Sequence, residues 1–202
     1  MMQDLFNQSP QWMEIDDGLL LWQPGYIPAK EADVIFETLF NTLNWQQLPV
    51  WMFGKQVNQP RLMDWYGDEP YCYTGLELSA KPIPSSLAEL KMRCENVSGF
   101  RFNSVLANLY RTGEDYMGWH KDNEAELGEQ PVVASLSLGA TRKFSFKHDI
   151  TGKKIDFSLS HGDLLVMAGK TQQYWKHALP KTKRVHSPRI NLTFRNIKGK
   201  VD

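Results

Sequence analysis

The residues best suited to chemistry form a close pair with distant partners. His120 and Asp122 are two residues apart, and such residues project to the same side of an extended segment, so one imidazole and one carboxylate can hold a single metal ion. His177 would complete three ligands on one face and leave about three positions of an octahedral ion open for a bidentate cosubstrate and dioxygen. Arg189 follows twelve residues later and could form a two-pronged pair with the far carboxylate of that cosubstrate. The pattern predicts a non-haem Fe(II) site that uses 2-oxoglutarate.

A plainer interpretation stays open, because an H-x-D triplet often occurs by chance. The metal prediction depends on His177 and the Arg-rich strand, since the other histidines form no comparable set. His148 lies in a polar, turn-like stretch and is predicted to be solvated. His161 is predicted in a turn before a strand, and His186, in a basic loop, is predicted to be exposed.

Length and composition restrict the class of protein. The 202 residues suit one domain with a sizeable core. No apolar run approaches the roughly 18 residues of a membrane-spanning helix, and the first residues lack the basic and apolar regions of a signal peptide. Cys72 and Cys94 form no C-x-x-C pattern and predict free thiols. We therefore expect a monomer in the cytoplasm, or in the nucleus of a eukaryote, without membrane contact.

The net charge of zero hides an asymmetry along the chain. Residues 1–139 contain nine Lys/Arg and nineteen Asp/Glu, whereas residues 140–202 contain fourteen and four. A basic second half suits a phosphate backbone. Mutual neutralisation of the two halves within one fold explains the counts equally well, so charge alone does not identify a partner.

Periodicity predicts two helices before residue 100 and many short strands after it. A strand over Gly18–Trp22 precedes a helix from Pro28 to about Asn44, and a second helix runs from Ser85 to about Asn96 with Ser85 or Ser86 as its cap. The later strands are predicted over Ser104–Tyr110, Val132–Leu138, Lys143–Lys147, Ile155–Leu159, Asp163–Met167 and Arg189–Arg195. This spacing is typical of a β-sandwich or jelly roll with helices packed against it, a mainly β fold of the α+β class. The metal ligands would lie at strand ends around the mouth of the barrel.

An aromatic stretch rich in Gly and Pro runs from Trp51 to Tyr73 between the two helices. Its composition predicts hairpins rather than a helix. Aromatic rings at loop tips can stack on bases or help to evict one from a duplex, although most aromatic rings are simply core. Phe53, next to Gly54 and Lys55 at a predicted turn, has the least core-like surroundings.

Taken in order, these segments resemble the AlkB family of Fe(II)/2-oxoglutarate nucleic-acid dealkylases. The resemblance covers residues 100–197 throughout and extends, less specifically, into Pro60-Arg61 and Trp65–Asp68. The segments that carry it are Asn103–Tyr110, Trp119–Glu124, Ala134–Ala140, His161–Leu165 and Pro188–Arg195.

The resemblance implies a double-stranded β-helix over residues 100–202 and an N-terminal extension with a nucleotide-recognition lid over residues 1–99, in one globule. It implies that His120, Asp122 and His177 bind iron and, with Arg195, form the catalytic set. Arg189 would pair with the remote carboxylate of 2-oxoglutarate. The residues implied to support the cosubstrate are Asn108, Tyr110, Asn191 and Arg195.

The base-contacting residues follow from the resemblance with less detail. Glu124 would contact the damaged base, and Tyr73 or a neighbouring ring would stack on it. The other substrate contacts implied in the lid are Arg61, Tyr66 and Phe53, and Phe53-Gly54-Lys55 resembles the finger with which duplex-preferring relatives probe stacked bases. Many family members have Asp directly after the metal Asp, where this chain has Asn123.

The implied activity is oxidative demethylation of bases such as 1-methyladenine or 3-methylcytosine in DNA or RNA, with release of formaldehyde. Fe(II) would be the cofactor, and 2-oxoglutarate and dioxygen the cosubstrates. A hydroxylase or demethylase of protein or lipid is an alternative, opposed by the aromatic lid and the basic second half. A catalytically silent nucleic-acid-binding module is another, opposed by the intact ligand set.

Overall fold

Two β-sheets that face each other form the frame of the molecule, and the computed structural model describes residues 11–52, 55–73 and 76–198. Along the chain the elements are β1 (Trp12–Ile15), β2 (Gly18–Gln23), α1 (Ala29–Thr42), β3 (Pro49–Met52), β4 (Lys55–Asn58), β5 (Leu62–Gly67), β6 (Tyr71–Tyr73), β7 (Leu76–Leu78), α2 (Ser85–Ser98), β8 (Ser104–Tyr110), β9 (Met117–His120), a 3₁₀ turn (Ala125–Leu127), β10 (Val133–Gly139), β11 (Arg142–His148), β12 (Lys154–Leu159), β13 (Leu164–Ala168), α3 (Thr171–Tyr174), β14 (Trp175–Leu179) and β15 (Arg189–Arg195).

The larger sheet has seven antiparallel strands in the order β1-β2-β13-β10-β15-β8-β5. Side chains alternate between its two faces. On the outer face, Ile190, Leu192 and Phe194 of β15 pack with Leu39 of α1 and Leu90 of α2 in one buried cluster. Burial of this apolar face fixes the helices on the outside of the sheet, and the opposite face is left for the site.

The smaller sheet has four strands in the order β12-β11-β14-β9. Phe146 of β11 and Trp175 of β14 lie in a second buried cluster with Leu165 and Met167 of the larger sheet. The two sheets therefore pack face to face over a shared core, which is the jelly-roll arrangement that the strand spacing predicts.

Both long helices begin directly after a proline. The carbonyl of Pro28 accepts the first hydrogen bonds of α1, and that of Pro84 accepts those of α2. The prediction that Ser85 or Ser86 caps α2 is wrong, because Ser85 is already helical and no side chain caps this helix. At 14 residues each, α1 and α2 are the longest helices in the described ranges and are too short to span a bilayer.

The aromatic stretch forms the predicted hairpins, β3–β4 and β6–β7. Phe53 lies outside the described residues, as do the side-chain surroundings of Tyr73. Strands from before residue 100 also complete the larger sheet, since β1, β2 and β5 belong to it. The functional division of the chain at residue 99 stays a prediction.

Candidate active site

Two neighbouring strands and one loop bring the predicted metal ligands together. His120 ends β9, and His177 lies directly opposite it on β14, with 4.2 Å between the ring centroids. Asp122 follows in the loop after β9. One ligand atom from each of the three residues lies within 4.8 Å of the others. The three can therefore hold one metal ion, although His177 lies within a strand and not, as predicted, at a strand end.

Hydrogen bonds within the protein orient two of these side chains, His120 and Asp122. Nδ1 of His120 is 2.8 Å from the carbonyl oxygen of Gly118, so this nitrogen is the donor and Nε2 keeps the lone pair. Nη2 of Arg195 donates to Oδ1 of Asp122 across 2.9 Å. Nε2 of His177 lies 3.7 Å from the other carboxylate oxygen of Asp122, a gap bordered by two potential ligand atoms.

Burial and the local charges together leave the ligands deprotonated at neutral pH. The pKa of His177 is lowered to about 3, mainly by burial; His120 and Arg195 also lower this pKa, and Asp122 raises it by less. Burial also lowers the pKa of His120, with Arg61 and Arg195 acting in the same direction. Burial alone would raise the pKa of Asp122, but Arg195 and the two imidazoles together lower it to about 2. Two neutral imidazoles and one carboxylate are a ready donor set for a divalent ion.

One face of β15 supplies the polar wall beside this set. Arg189, Asn191, Thr193 and Arg195 alternate with the apolar residues that enter the outer core. The register with β8 places Arg189 opposite Tyr110 and Asn191 opposite Asn108. The cosubstrate residues predicted on two distant segments therefore face one another across a single strand pair.

Arg189 is a buried cation without an acidic partner among the described residues. Its Nη2 donates to the hydroxyl of Ser137 at 2.9 Å, and its guanidinium lies 5.5 Å from the centre of the Tyr110 ring. Burial lowers the pKa of Arg189 to about 10, and nearby Arg142 adds to this effect. A buried guanidinium in these surroundings is well suited to an anionic ligand.

Arg142 is equally buried, but both of its terminal nitrogens bond to the backbone. It donates to the carbonyl oxygens of Thr112, Gly113, Asp115 and Pro180, at 2.9 to 3.4 Å. It therefore joins the loop after β8 to the loop after β14. Sequence reasoning missed Arg142, because a charged residue at the start of a strand gives no local sign that it will be buried.

A single cavity connects the metal ligands with Arg189. Its lining comes from both sheets: β15 contributes polar residues, and the smaller sheet contributes the two histidines of the ligand set together with apolar residues. The lining residues are Arg61, Leu106, Asn108, Tyr110, Met117, His120, Asp122, Ser135, Phe144, Met167, His177, Leu179, Arg189, Asn191, Thr193 and Arg195.

Comparison with protein families agrees with this geometry. Residues 19–195 match the model of the 2OG-Fe(II) oxygenase superfamily. The DNA oxidative demethylase ALKBH2 of Mus musculus is 38% identical over 204 residues, which cover 94% of this chain and 85% of that protein. The chain belongs to the AlkB family of 2OG-Fe(II) oxygenases.

A further relative agrees with this membership, and two solved structures share the fold. The alpha-ketoglutarate-dependent dioxygenase alkB homolog 3 of Homo sapiens is 41% identical over 184 residues, 86% of this chain. The chain spans 64% of the length of that relative. The structure of OsALKBH1 shares the fold with a TM-score of 0.64 at 18% identity, covering 92% of this chain and 100% of that one. A 2OG-Fe(II) oxygenase family oxidoreductase from Burkholderia pseudomallei gives a TM-score of 0.59 at 15% identity, with 89% and 87% covered.

The AlkB family membership confirms the predicted Fe(II), 2-oxoglutarate and dioxygen, and the residues fit them. The facial set of two imidazoles and one carboxylate is the donor set of non-haem Fe(II) oxygenases. The buried guanidinium of Arg189 lies in the same cavity. The fold thus brings three potential metal ligands and a buried cation into one cavity.

The residues predicted to contact the base are less closely grouped than the predicted metal ligands, because only some of them line the cavity. Arg61 is buried in the cavity wall and donates from Nε to Oδ1 of Asn108 at 2.7 Å. Glu124 is half-buried, directly before the 3₁₀ turn, and is not part of the described cavity lining. Their contacts with a base stay predictions.

The structure does not bring Tyr66 to the cavity. On β5, Tyr66 and Asp64 share the face that packs into the outer core, and the Tyr66 hydroxyl donates to Asp64 at 2.5 Å. Alternation along the strand turns Trp65 to the other face, where it packs with Leu106 of the cavity wall. Tyr66 therefore lies outside the described cavity lining, and its contact with a substrate stays a prediction.

The other histidines lie outside the site, as expected, but the prediction that His148 is solvated is wrong. His186 is exposed and His161 lies in a turn. His148 is 1% exposed, not solvated. It ends β11 opposite Trp175, whose ring meets it edge-on, and its Nε2 is 3.3 Å from a carboxylate oxygen of Asp17. His148 is covered because β11 pairs with β14, which is distant in sequence. The local sequence around His148 gives no sign of this pairing.

Proposed function

We propose that this chain oxidatively demethylates N-alkylated nucleobases, of the 1-methyladenine and 3-methylcytosine type, in DNA or RNA. The observation that carries the proposal is the position of Arg189, a buried cation in the same cavity as the His120–Asp122–His177 set. A metal site alone fits many reactions. A metal site with a buried anchor for an anion fits a dioxygenase that consumes a dicarboxylate.

When bound, Fe(II) supplies the oxidation by dioxygen that converts 2-oxoglutarate to succinate and carbon dioxide and places the second oxygen atom on the methyl group. The hydroxymethyl group then leaves as formaldehyde: its hydroxyl group releases a proton, and the electron pair of the broken C–N bond returns to the ring nitrogen. The protein's part in this reaction is orientation, charge and the exclusion of water.

Each part has residues suited to it. Arg189 and Tyr110 hold the far carboxylate of the cosubstrate, with Asn108 and Asn191 beside them. Arg195 keeps Asp122 ionised through their direct hydrogen bond. The apolar residues Leu106, Met117 and Phe144 keep bulk water from the reacting groups.

The nucleic-acid substrate is supported by the relatives and by the lid. ALKBH2 is named a DNA oxidative demethylase. In the sequence, the hairpins β3–β4 and β6–β7 precede and follow β5, and β5 pairs with β8 in the larger sheet. Phe53, which lies between β3 and β4 in the sequence, and Tyr73 on β6 are proposed base contacts, together with Arg61 and Glu124. The basic second half contributes less than its count implies, since Arg142, Arg189 and Arg195 are buried.

The direct test is release of formaldehyde from methylated oligonucleotides with Fe(II) and 2-oxoglutarate present or omitted. We expect turnover only when both are present. His120→Ala should abolish it, and His186→Ala, a control at an exposed histidine, should not. Full turnover by the His120→Ala protein would overturn the metal assignment. Tight binding of oligonucleotides without any turnover would favour the silent binding module.

Substrate form requires a second comparison. The same methylated base is presented in single-stranded DNA, duplex DNA and RNA, to wild type and to Phe53→Ala. A finger role predicts that this substitution lowers duplex turnover more than single-strand turnover. Equal effects in both would remove Phe53 from the proposal. We also propose a monomer acting in the cytoplasm, or in the nucleus of a eukaryote, which size-exclusion chromatography and cell fractionation test.

A further inference from the structure

The loop that carries Asp122 needs support from outside the sheets. Asp122 lies two residues beyond the end of β9, and the 3₁₀ turn Ala125–Leu127 is the only regular element between β9 and β10. Ladder hydrogen bonds therefore do not fix the backbone at this ligand. The carboxylate is oriented by Arg195, which leaves open what holds the main chain.

Gln172 makes that contact. Its side chain is fully buried, and its Oε1 accepts a hydrogen bond from the backbone N–H of Asp122 at 2.9 Å. Its Nε2 is directed at the sulfur of Met167, 3.4 Å away, and Met167 lines the cavity. The amide is thus held at both ends, with its oxygen on the metal loop.

The element that carries Gln172 also leads to another ligand. Gln172 belongs to α3, which passes directly into β14 and His177 five residues later. The loop's hydrogen bond to Gln172 therefore ties Asp122 to the segment that positions His177. A displacement of α3 would move the two ligands together rather than apart.

Neighbouring contacts reinforce the same connection. Nζ of Lys121 donates to the carbonyl oxygen of Gln173 at 2.5 Å and pairs with Asp149. Nε2 of Gln173 donates to the carbonyl oxygen of Glu129 at 2.7 Å. These contacts are more exposed than that of Gln172, so the buried amide is the one that water cannot replace.

We infer that Gln172 is a positioning residue for the metal site: its amide oxygen sets the backbone position of Asp122 relative to His177. The inference rests on the proposed metal site and assigns no catalytic contact to Gln172. Partners that orient metal ligands affect metal affinity by about 10- to 100-fold when they are removed. A purely structural amide would affect only the stability of the fold.

The test compares three variants by calorimetric titration of the metal-free protein with Mn²⁺ and by thermal unfolding. Gln172→Met keeps the volume but removes the acceptor, and Gln172→Glu keeps an acceptor oxygen. Thr171→Val is the matched control, because Thr171 is also fully buried on α3 but bonds to Leu19 and Ala168, away from the metal loop.

We expect Gln172→Met to weaken Mn²⁺ binding by about tenfold or more, with Gln172→Glu remaining within about threefold of wild type. Thr171→Val should lower the melting temperature and leave the Mn²⁺ affinity unchanged. If Gln172→Met does not fold, Gln172→Asn withdraws the oxygen by one methylene and should show the same loss of affinity in a smaller degree.

Two results would overturn the inference while sparing the proposed function. One is an Mn²⁺ affinity that does not change when the acceptor is removed. The other is an equal loss of affinity in Thr171→Val, which would show that any weakening of α3 suffices. A wild-type protein that binds no Mn²⁺ would instead overturn the metal site itself.

Discussion

The guanidinium of Arg195 and the carboxylate of Asp122 form a buried pair that joins the two sheets at the metal site. Nη2 donates to Oδ1 across 2.9 Å, and both side chains are almost entirely removed from water. Arg195 belongs to β15 of the larger sheet, whereas Asp122 follows β9 of the smaller one. Charge pairing across the interface therefore links β15 to the loop that carries Asp122.

Removal of one member of this pair should cost more stability than removal of both. Arg195→Met leaves a buried carboxylate without its cation and should destabilise the metal-free protein by about 3 kcal/mol or more. Asp122→Leu combined with Arg195→Met leaves neither charge unpaired. Urea unfolding of the four proteins of this double-mutant cycle measures the coupling, expected to be about 2 kcal/mol. Strictly additive effects would show that the pair contributes no coupling.

Arg189→Met should raise the KM for 2-oxoglutarate by about 100-fold, since a two-pronged, charge-assisted contact is lost in a buried site. Arg189 does not contact the metal ligands, so Mn²⁺ affinity in the absence of cosubstrate should stay unchanged. The measurement is succinate formation against 2-oxoglutarate concentration at saturating Fe(II). An unchanged KM would mean that the dicarboxylate is anchored elsewhere.

The strand β15, which carries Arg189, was predictable from the local sequence because polar and apolar residues alternate along its whole length. Ile190, Leu192 and Phe194 enter the outer core and the polar residues between them line the cavity, so a two-residue period marks both faces. Its bounds, like those of β8, are the predicted ones. The types and spacing of His120, Asp122 and His177 are also visible along the chain, and the fold brings the three side chains together.

The parts that were not predictable depend on long-range pairing. The strand β5 is buried nearly throughout, so exposed and buried residues do not alternate along it. Neither the strand nor the direction of the Tyr66 side chain could therefore be predicted from the local sequence. Gln172 and Arg142 look like ordinary polar residues until the fold buries them. Their partners lie 50 and about 30 residues away in loops, and only the tertiary fold brings them into contact.

The same substitution at two buried arginines should have opposite effects on stability. Arg142→Met removes the donor to four backbone carbonyls and should destabilise the protein by about 3 kcal/mol. Arg189→Met removes a buried cation without an acidic partner in the described chain, and should leave the ligand-free protein as stable or more stable. Urea unfolding without 2-oxoglutarate compares the two. A similar loss of unfolding free energy in both variants would contradict the proposal that Arg189 serves to bind an anionic ligand.

Glu95, near the end of α2 and outside the described cavity lining, should make the stability of the protein depend on pH. Its Oε1 accepts hydrogen bonds from the backbone N–H of Phe102 at 2.8 Å and from Lys91 at 2.9 Å, and Arg101 donates to Oε2 at 3.2 Å. Burial alone would raise the pKa of Glu95, but these three donors together lower it. The ionised form is therefore favoured in the folded state.

A lowered pKa in the folded state means that the stabilisation is complete above the ordinary glutamate pKa of about 4.3 and disappears as the pH falls through the folded-state value. Glu95→Gln should thus cost about 2 kcal/mol at pH 7, and its difference from wild type should shrink below about pH 4. Urea unfolding at both pH values measures this, with Glu89→Gln as the control for loss of a charge on the exposed face of the same helix. A difference that stayed constant between the two pH values would show that the carboxylate acts through shape and not through its charge.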